Sequence, residues 1–163
     1  MECEGCRMNV LEMKRLTKKY GDFIAVDELN FGVREGEIVG LLGPNGAGKS
    51  TTIHMIASLL PATSGTIELF GKDIAKHGRF AKSHIGIVPQ DLAIYENMTA
   101  FENAAFFAGL YGLRGKRLKE SAEEALDFVG LGDKRSVYVK NFSGGMKRRL
   151  NIACAIAHKP AMI

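Results

Sequence analysis

Apolar positions along this chain switch between strand-like and helical spacing, and the switches predict its elements. From about Val10 to Leu42, strand-like runs alternate with turn signals at Tyr20-Gly21-Asp22 and Arg34-Glu35-Gly36. Thr66-Ile67-Glu68-Leu69-Phe70 adds a strand closed by Gly71-Lys72-Asp73, and Ile85-Gly86-Ile87-Val88 reads as another. Within the first stretch, Glu37-Ile38-Val39-Gly40-Leu41-Leu42 is apolar and branched enough to predict a buried strand. Apolar residues at 53, 56, 57 and 60 then take the spacing of one helical face. Residues Thr99 to Leu110 and Lys116 to Val129 predict two more helices, the first opened by Thr99 with Glu102 in a capping-box arrangement. A last helix, capped by Ser143, carries apolar residues at 146, 150, 153, 154 and 157.

Chemistry enters between the predicted strand at 37–42 and the helix after it. Gly43-Pro44-Asn45-Gly46-Ala47-Gly48-Lys49-Ser50-Thr51 fits the P-loop pattern G-x-x-x-x-G-K-[ST] at every fixed position. Glycines let successive backbone N–H groups point inward, and the helix start adds partial positive charge, so phosphates are held with little side-chain help. Lys49 supplies a full charge for the β- and γ-phosphates, and the Ser50 hydroxyl suits a magnesium ion bridging them. A nucleoside triphosphate follows from this; the class of NTPase does not.

Asn141-Phe142-Ser143-Gly144-Gly145-Met146-Lys147-Arg148-Arg149 narrows the class. Two glycines just inside a helix start each cost up to about 1 kcal/mol relative to alanine. The cationic run Lys147-Arg148-Arg149 also sits at the unfavourable end of the helix dipole. An anion bound at this helix start accounts for both; a solvated basic helix start is the plainer alternative.

With these two motifs the chain resembles the nucleotide-binding domain of the ATP-binding cassette (ABC) transporters, whose signature is Leu-Ser-Gly-Gly-Gln. Phe142 stands in place of the usual leucine and Met146 in place of the glutamine, while Ser143-Gly144-Gly145 is intact. Tyr20 in Lys18-Lys19-Tyr20-Gly21 matches the A-loop aromatic, and Gln90 in Gly86-Ile87-Val88-Pro89-Gln90 matches the Q-loop glutamine. The resemblance covers nearly the whole chain and implies an α/β fold: a RecA-like P-loop NTPase core, a flanking antiparallel β subdomain and a helical subdomain, with the C-terminal core strands missing. Core and β subdomain would take about 10–90 and 141–163, the helical subdomain about 91–140, and residues 1–8 would be disordered.

The resemblance also assigns roles. Tyr20 would stack on adenine with Val26 beside the base or ribose, and Gln90 would reach the magnesium and the attacking water. Ser143, Gly144 and Gly145 would face, in trans, the ATP held by the P-loop of a second copy in a head-to-tail dimer. Phe101, Ala104, Ala105, Phe106, Phe107 and Leu110 would be mostly helical-subdomain core, part of that surface receiving a coupling helix from a multi-spanning membrane subunit. The wording around Leu92 to Thr99 and Lys140 to Leu150 resembles the exporters of drugs, lipids or polysaccharides more than the importers.

Composition agrees with one ordinary folded domain: 163 residues, 46% hydrophobic and 25% charged. A net charge of +4, with basic residues spread among acidic ones and no interleaved aromatics, does not imply nucleic acid. No apolar stretch reaches the roughly 18 residues that span a bilayer, and the acidic start Met1-Glu2-Cys3-Glu4-Gly5-Cys6 lacks the apolar centre of a signal peptide. The expected location is cytoplasmic, peripheral on the inner face of the membrane. Cys3 and Cys6 form a lone C-x-x-C without the second pair of ligands that a metal site needs, and Cys154 lies on an apolar helical stripe.

In the family, a strand after the signature helix ends in an Asp-Glu pair that holds the magnesium shell and polarises water, and a later histidine senses the γ-phosphate. Ala161-Met162-Ile163 resemble the first steps of that strand. His54, His77, His84 and His158 offer no substitute for the missing base, so the resemblance implies binding of ATP and Mg2+ with negligible hydrolysis by these residues alone. The alternatives are a soluble ABC-type ATPase of translation or DNA repair, and a fragment that binds nucleotide without hydrolysing it.

Overall fold

The computed structural model describes residues 9–163. Cys3, Cys6 and the whole expected disordered stretch 1–8 lie outside the described residues. The chain folds as two compact units, one ending at Lys82 and the other formed by Ser83–Ile163.

The first unit is built on strands β1 (Asn9–Tyr20), β2 (Phe23–Arg34), β3 (Ser64–Leu69) and β4 (Lys72–Asp73), with helix α1 (Lys49–Ile56) between β2 and β3. They form one antiparallel sheet in the order β2-β1-β3-β4. Alternation sets its buried face: Leu11 opposes Leu69 and Met13 opposes Ile67, and all four are buried. The next inward residue is Leu16, not residue 15. Arg15, at φ 47°, is an extra residue on β1 where the register runs from Met13↔Phe31 to Leu16↔Leu29, and its N–H is taken up by Asn30 Oδ1 at 2.9 Å. One turn of register later the extra residue falls on β2: Glu28, at φ 39°, donates its N–H to Thr17 Oγ1 at 3.1 Å. Two bulges on facing strands thus cancel in register and keep Leu16 and Val26 inside.

The expectation of a buried strand at 37–42 is corrected. No strand forms there; Ile38 is 100% exposed and Leu42 95% exposed. An apolar run becomes a buried parallel strand only when neighbours hydrogen-bond both edges and helices cover both faces. Among the described residues nothing pairs with this run.

A short helix α2 (Gly78–His84), unheralded by any period, carries the chain into the second unit. That unit contains α3 (Ala100–Leu110), α4 (Gly115–Phe128), 3-10 turns at Gly132–Lys134 and Val139–Asn141, and α5 (Gly144–Ile156). The capping box at Thr99 forms as expected, with Glu102 N–H on Thr99 Oγ1 at 3.2 Å and Thr99 N–H on Glu102 Oε2 at 2.7 Å. Those hydrogen bonds hold the Glu102 carboxyl below the usual carboxylate range. Ala100, Ala104 and Ala108 form the inward stripe of α3, so small that the α4 residues Ala122, Ala125 and Leu126 and the α5 residues Leu150, Ala153 and Cys154 close on it in one core.

Of the apolar residues expected to be mostly core, Ala104 lies in it and Phe101, Ala105 and Phe107 pack against it, while Phe106 and Leu110 lie outside: each follows a stripe alanine by two positions, about 200° around the helix, and Leu110 is 65% exposed. Phe106 instead meets Tyr95 edge-on at 5.2 Å. Cys154 is a core residue, its thiol pushed up to about 12 by burial. The strand expected at 85–88 is reduced to a single parallel bridge between Ile85 and Met162, with Gly86 N–H on the Met162 carbonyl at 2.8 Å.

Two stability predictions follow from this packing. Gly65, at φ +83°, lies against the Arg15 bulge so closely that a Cβ would stand 2.3 Å from the Arg15 carbonyl oxygen; Gly65→Ala should lower unfolding free energy by about 2–4 kcal/mol in urea titration, where Gly78, with an ordinary φ and open space for a Cβ, should tolerate alanine far better. His158 stacks on Tyr111 at 3.5 Å and 3°, and burial, only partly offset by a hydrogen bond with the Ile85 backbone, pushes its pKa below the ordinary value. Folding therefore favours the neutral ring, so the unfolded chain binds the proton first as pH falls below about 6.5. Thermal melts should show stability fully present above that pH and declining below it, and His158→Phe should flatten the decline.

Candidate functional site

The P-loop geometry is set from β2. Gly48 is the N-cap of α1 in the left-handed conformation, φ 79°, with no side chain capping the helix. A Cβ at this position would sit 2.3 Å from the Ala25 carbonyl oxygen and 3.0 Å from Val26 Cγ2, so only glycine lets the loop press on the strand. Thr52 closes the first turn, its N–H and its hydroxyl both on the Gly48 carbonyl at 2.8 and 2.9 Å. The amides of Lys49, Ser50 and Thr51 precede that bond and belong to the helix's unpaired first turn. Lys49 reaches back across the loop, its Nζ donating to the Gly43 and Pro44 carbonyls at 2.6 and 2.7 Å. Ala47 N–H closes the loop on Pro44 O at 3.2 Å. Free amides, a helix start and one ammonium converge on the stretch 43–51, and Ser50 presents an exposed hydroxyl on the same turn. These groups fit a magnesium-bound nucleoside triphosphate by their donor chemistry.

Tyr20 and Val26 belong to the same unit. Tyr20 ends β1 opposite Phe23, with Gly21 and Asp22 as the intervening turn, and its ring is 49% exposed. Val26 is buried with its Cγ2 toward Gly48. Ile24, Ala25 and Val26 therefore run directly from the Tyr20 hairpin to the wall of the P-loop.

Gln90 and Ser143-Gly144-Gly145 lie in the second unit. Ser143 is the N-cap of α5 as expected, its Oγ accepting the Met146 N–H at 3.3 Å. A Cβ added at Gly144 or Gly145 would meet nothing within 4 Å, so internal packing gives no reason for either glycine. The bare helix start suits close approach by something outside this unit.

The cationic run is corrected in one respect: all three side chains have partners within the unit and none waits for an anion. Lys147 pairs with Glu96; Arg149 Nη1 donates to the Val129 and Gly130 carbonyls at 3.2 and 3.1 Å, where α4 ends. Arg148 Nη1 donates to the Pro89 and Gln90 carbonyls at 3.0 and 2.8 Å.

The Gln90 side chain is exposed while its backbone is held. Asn151, only 2% exposed, donates Nδ2 to the Pro89 carbonyl and accepts the Ala93 N–H on Oδ1, both at 3.2 Å. Arg148 and Asn151 thus fasten the Pro89–Gln90 turn to α5. Sequence reasoning passed over both. The available signal was an asparagine directly after Leu150, in a half-helix (150–156) whose other residues are all apolar, where an unpaired amide would be costly. Asn103 plays the same part for the preceding segment, trading hydrogen bonds of 2.8 and 3.0 Å with both backbone groups of Tyr95.

The ABC transporter family profile matches residues 26–163. Over 154 residues, 94% of this chain, the sequence is 46% identical to the linearmycin resistance ATP-binding protein LnrL of Bacillus subtilis (strain 168) and 44% identical to the probable multidrug ABC transporter ATP-binding protein YbhF of Escherichia coli (strain K12). It spans 50% of the first relative's length and 27% of the second's. Among solved structures, an ATP-binding subunit of an ABC transporter superposes with a TM-score of 0.79 at 32% identity, covering 93% of this chain and 63% of that one. The α/β fold expected from the sequence is the fold of these subunits. A profile that begins at the P-loop wall, Val26, and takes in both the phosphate loop and the Ser143-Gly144-Gly145 helix start places this chain in the ABC transporter family.

Proposed function

We propose that this chain is the ATP-binding portion of an exporter's motor subunit, and the observation that carries the proposal is the glycine-capped start of α1 with Lys49 folded across the loop. Backbone amides of Gly46 and of residues 48–51 hold the phosphates, Lys49 leaves its carbonyl partners for the β- and γ-phosphates, and Ser50 holds the metal. Mg2+, when bound, neutralises phosphate charge. The printed names of the relatives, one a resistance protein and the other a multidrug transporter component, favour transport over the soluble ABC-type ATPases and favour efflux as its direction.

Gln90 contacts metal and water in the complete, nucleotide-loaded protein, and Ser143 with the Gly144 and Gly145 amides receives the phosphates held by a second copy. The bare surface over both glycines supports that last assignment. Because Arg148 and Asn151 tie the Gln90 backbone to α5, a displacement of the Gln90 loop is carried to Ser143 without any new contact. Exposed Phe106, Leu110 and Tyr95 give an apolar surface that suits a helix from a membrane subunit, on the inner face of the membrane. No helix among the described residues is long and apolar enough to cross a membrane.

Titration calorimetry of this chain with MgATP tests the proposal. Binding should be measurable, and Lys49→Ala should weaken it by about 10- to 100-fold, the worth of a charge-assisted phosphate contact; equal affinity in the variant would overturn the P-loop assignment. Phosphate release by these residues alone should stay at background, since no described residue supplies the general base. For the α5 clasp, Asn151→Leu leaves the Ala93 N–H without its side-chain acceptor and takes from the Pro89 carbonyl one of its two donors, the other being Arg148. It should cost about 2–4 kcal/mol in denaturant unfolding and speed amide exchange at Ala93 at least tenfold; unchanged exchange there would show the clasp to be dispensable.

A further inference from the structure

We infer that Lys18 decides which face of the Tyr20 ring receives a nucleotide base and strengthens the stack formed there; this rests on Tyr20 being the adenine platform that its match to the family's A-loop aromatic implies. Lys18 and Tyr20 are two residues apart on β1 and so project from the same side of the strand. The Lys18 ammonium stands 5.2 Å from the centre of the Tyr20 ring. An i, i+2 lysine on a surface strand is ordinarily free in solvent. Here Nζ donates to the Pro61 carbonyl at 2.8 Å, and the lysine is half-buried.

The anchor itself is fixed. Thr63 N–H bonds the Thr17 carbonyl at 2.9 Å, and Thr63 Oγ1 accepts the Lys19 N–H at 3.0 Å, so the 61–63 turn is laced to the end of β1 on both sides of Lys18. Across the sheet the register partner of Lys18 is Val26, the residue whose Cγ2 abuts Gly48. Ammonium, ring and P-loop wall therefore belong to one short stretch of paired backbone.

Two consequences follow from the chemistry. A cation held over one face of a phenol ring occupies that face, which leaves a planar ligand only the opposite one. It also draws π-electron density toward itself, so the open face is less negative and stacks better with an electron-rich purine. The ligand class is thus a purine nucleotide, with Lys18 acting through Tyr20 and touching no phosphate.

Calorimetry on this chain separates the possibilities, using MgATP and magnesium tripolyphosphate, which fills a P-loop but has no base. Lys18→Met should weaken MgATP binding about two- to fivefold, the scale of an exposed cation–π contact, and leave tripolyphosphate unchanged. Lys18→Arg should restore MgATP affinity. In a Tyr20→Ala background, Lys18→Met should have no further effect. Equal losses for MgATP and tripolyphosphate would overturn the inference by making Lys18 a phosphate contact, as would full MgATP affinity in Lys18→Met. Should Tyr20→Ala bind both ligands as wild type does, the platform assignment itself falls. Should Tyr20→Ala lose MgATP selectively while Lys18→Met loses nothing, only the role of Lys18 falls. Lys18→Gln, which keeps a donor for Pro61 without the charge, should behave as Lys18→Met does; wild-type affinity there would assign the effect to the tether.

Discussion

A loop holds one shape only if its backbone N–H and C=O groups find hydrogen-bond partners, and here that demand falls on a few polar side chains sent out from regular elements. Lys49 answers for Gly43 and Pro44, Arg148 and Asn151 for the 89–93 segment, Asn103 for Tyr95, and Asn30 and Thr17 for two bulged amides. Apolar packing provides the platforms: an antiparallel sheet with Leu11, Met13, Ile67 and Leu69 on its inner face, and a helical unit drawn tight by an alanine stripe. The chemistry sits in the irregular segments between them. Those segments would be slack without this handful of amides, ammonium and guanidinium groups.

The division between what could be read from residue order and what could not follows the range of the forces involved. Local signals were dependable. The Thr99 capping box and the Ser143 cap each depend on atoms within four residues, and each has the geometry that its residues imply. The run 37–42 failed as a buried strand because burial is a property of neighbours, and the described residues give it none. Phe106 and Leu110 fall outside the core because phase around the helix, and not hydrophobicity alone, sets the buried side, and three alanines own the inner face of that helix. Lys147, Arg148 and Arg149 read locally as an unfavourable charge cluster because their partners, Glu96, the Pro89–Gln90 carbonyls and the end of α4, lie between 19 and 59 residues away in sequence.

The site was legible to about the same depth. Glycines, lysine and serine of the phosphate loop declare themselves because each is needed for its backbone or its charge. What order alone could not supply is the wall that shapes the loop: Ala25 and Val26 confine Gly48 from across the unit. The same is true of Asn151, whose value lies in two hydrogen bonds to a segment some 60 residues upstream in sequence.

The clasp on α5 also gives that helix the mechanics of a lever. Asn151 holds it about two turns from Ser143, an arm of roughly 12 Å at 1.5 Å per residue. A tilt of about 10° about the clasp would move the Ser143 hydroxyl and the glycine amides by roughly 2 Å. Hydrogen bonds fade over a smaller distance than that. A modest rotation at the Gln90 end would therefore act on the signature end as an on-or-off contact and not as a graded one.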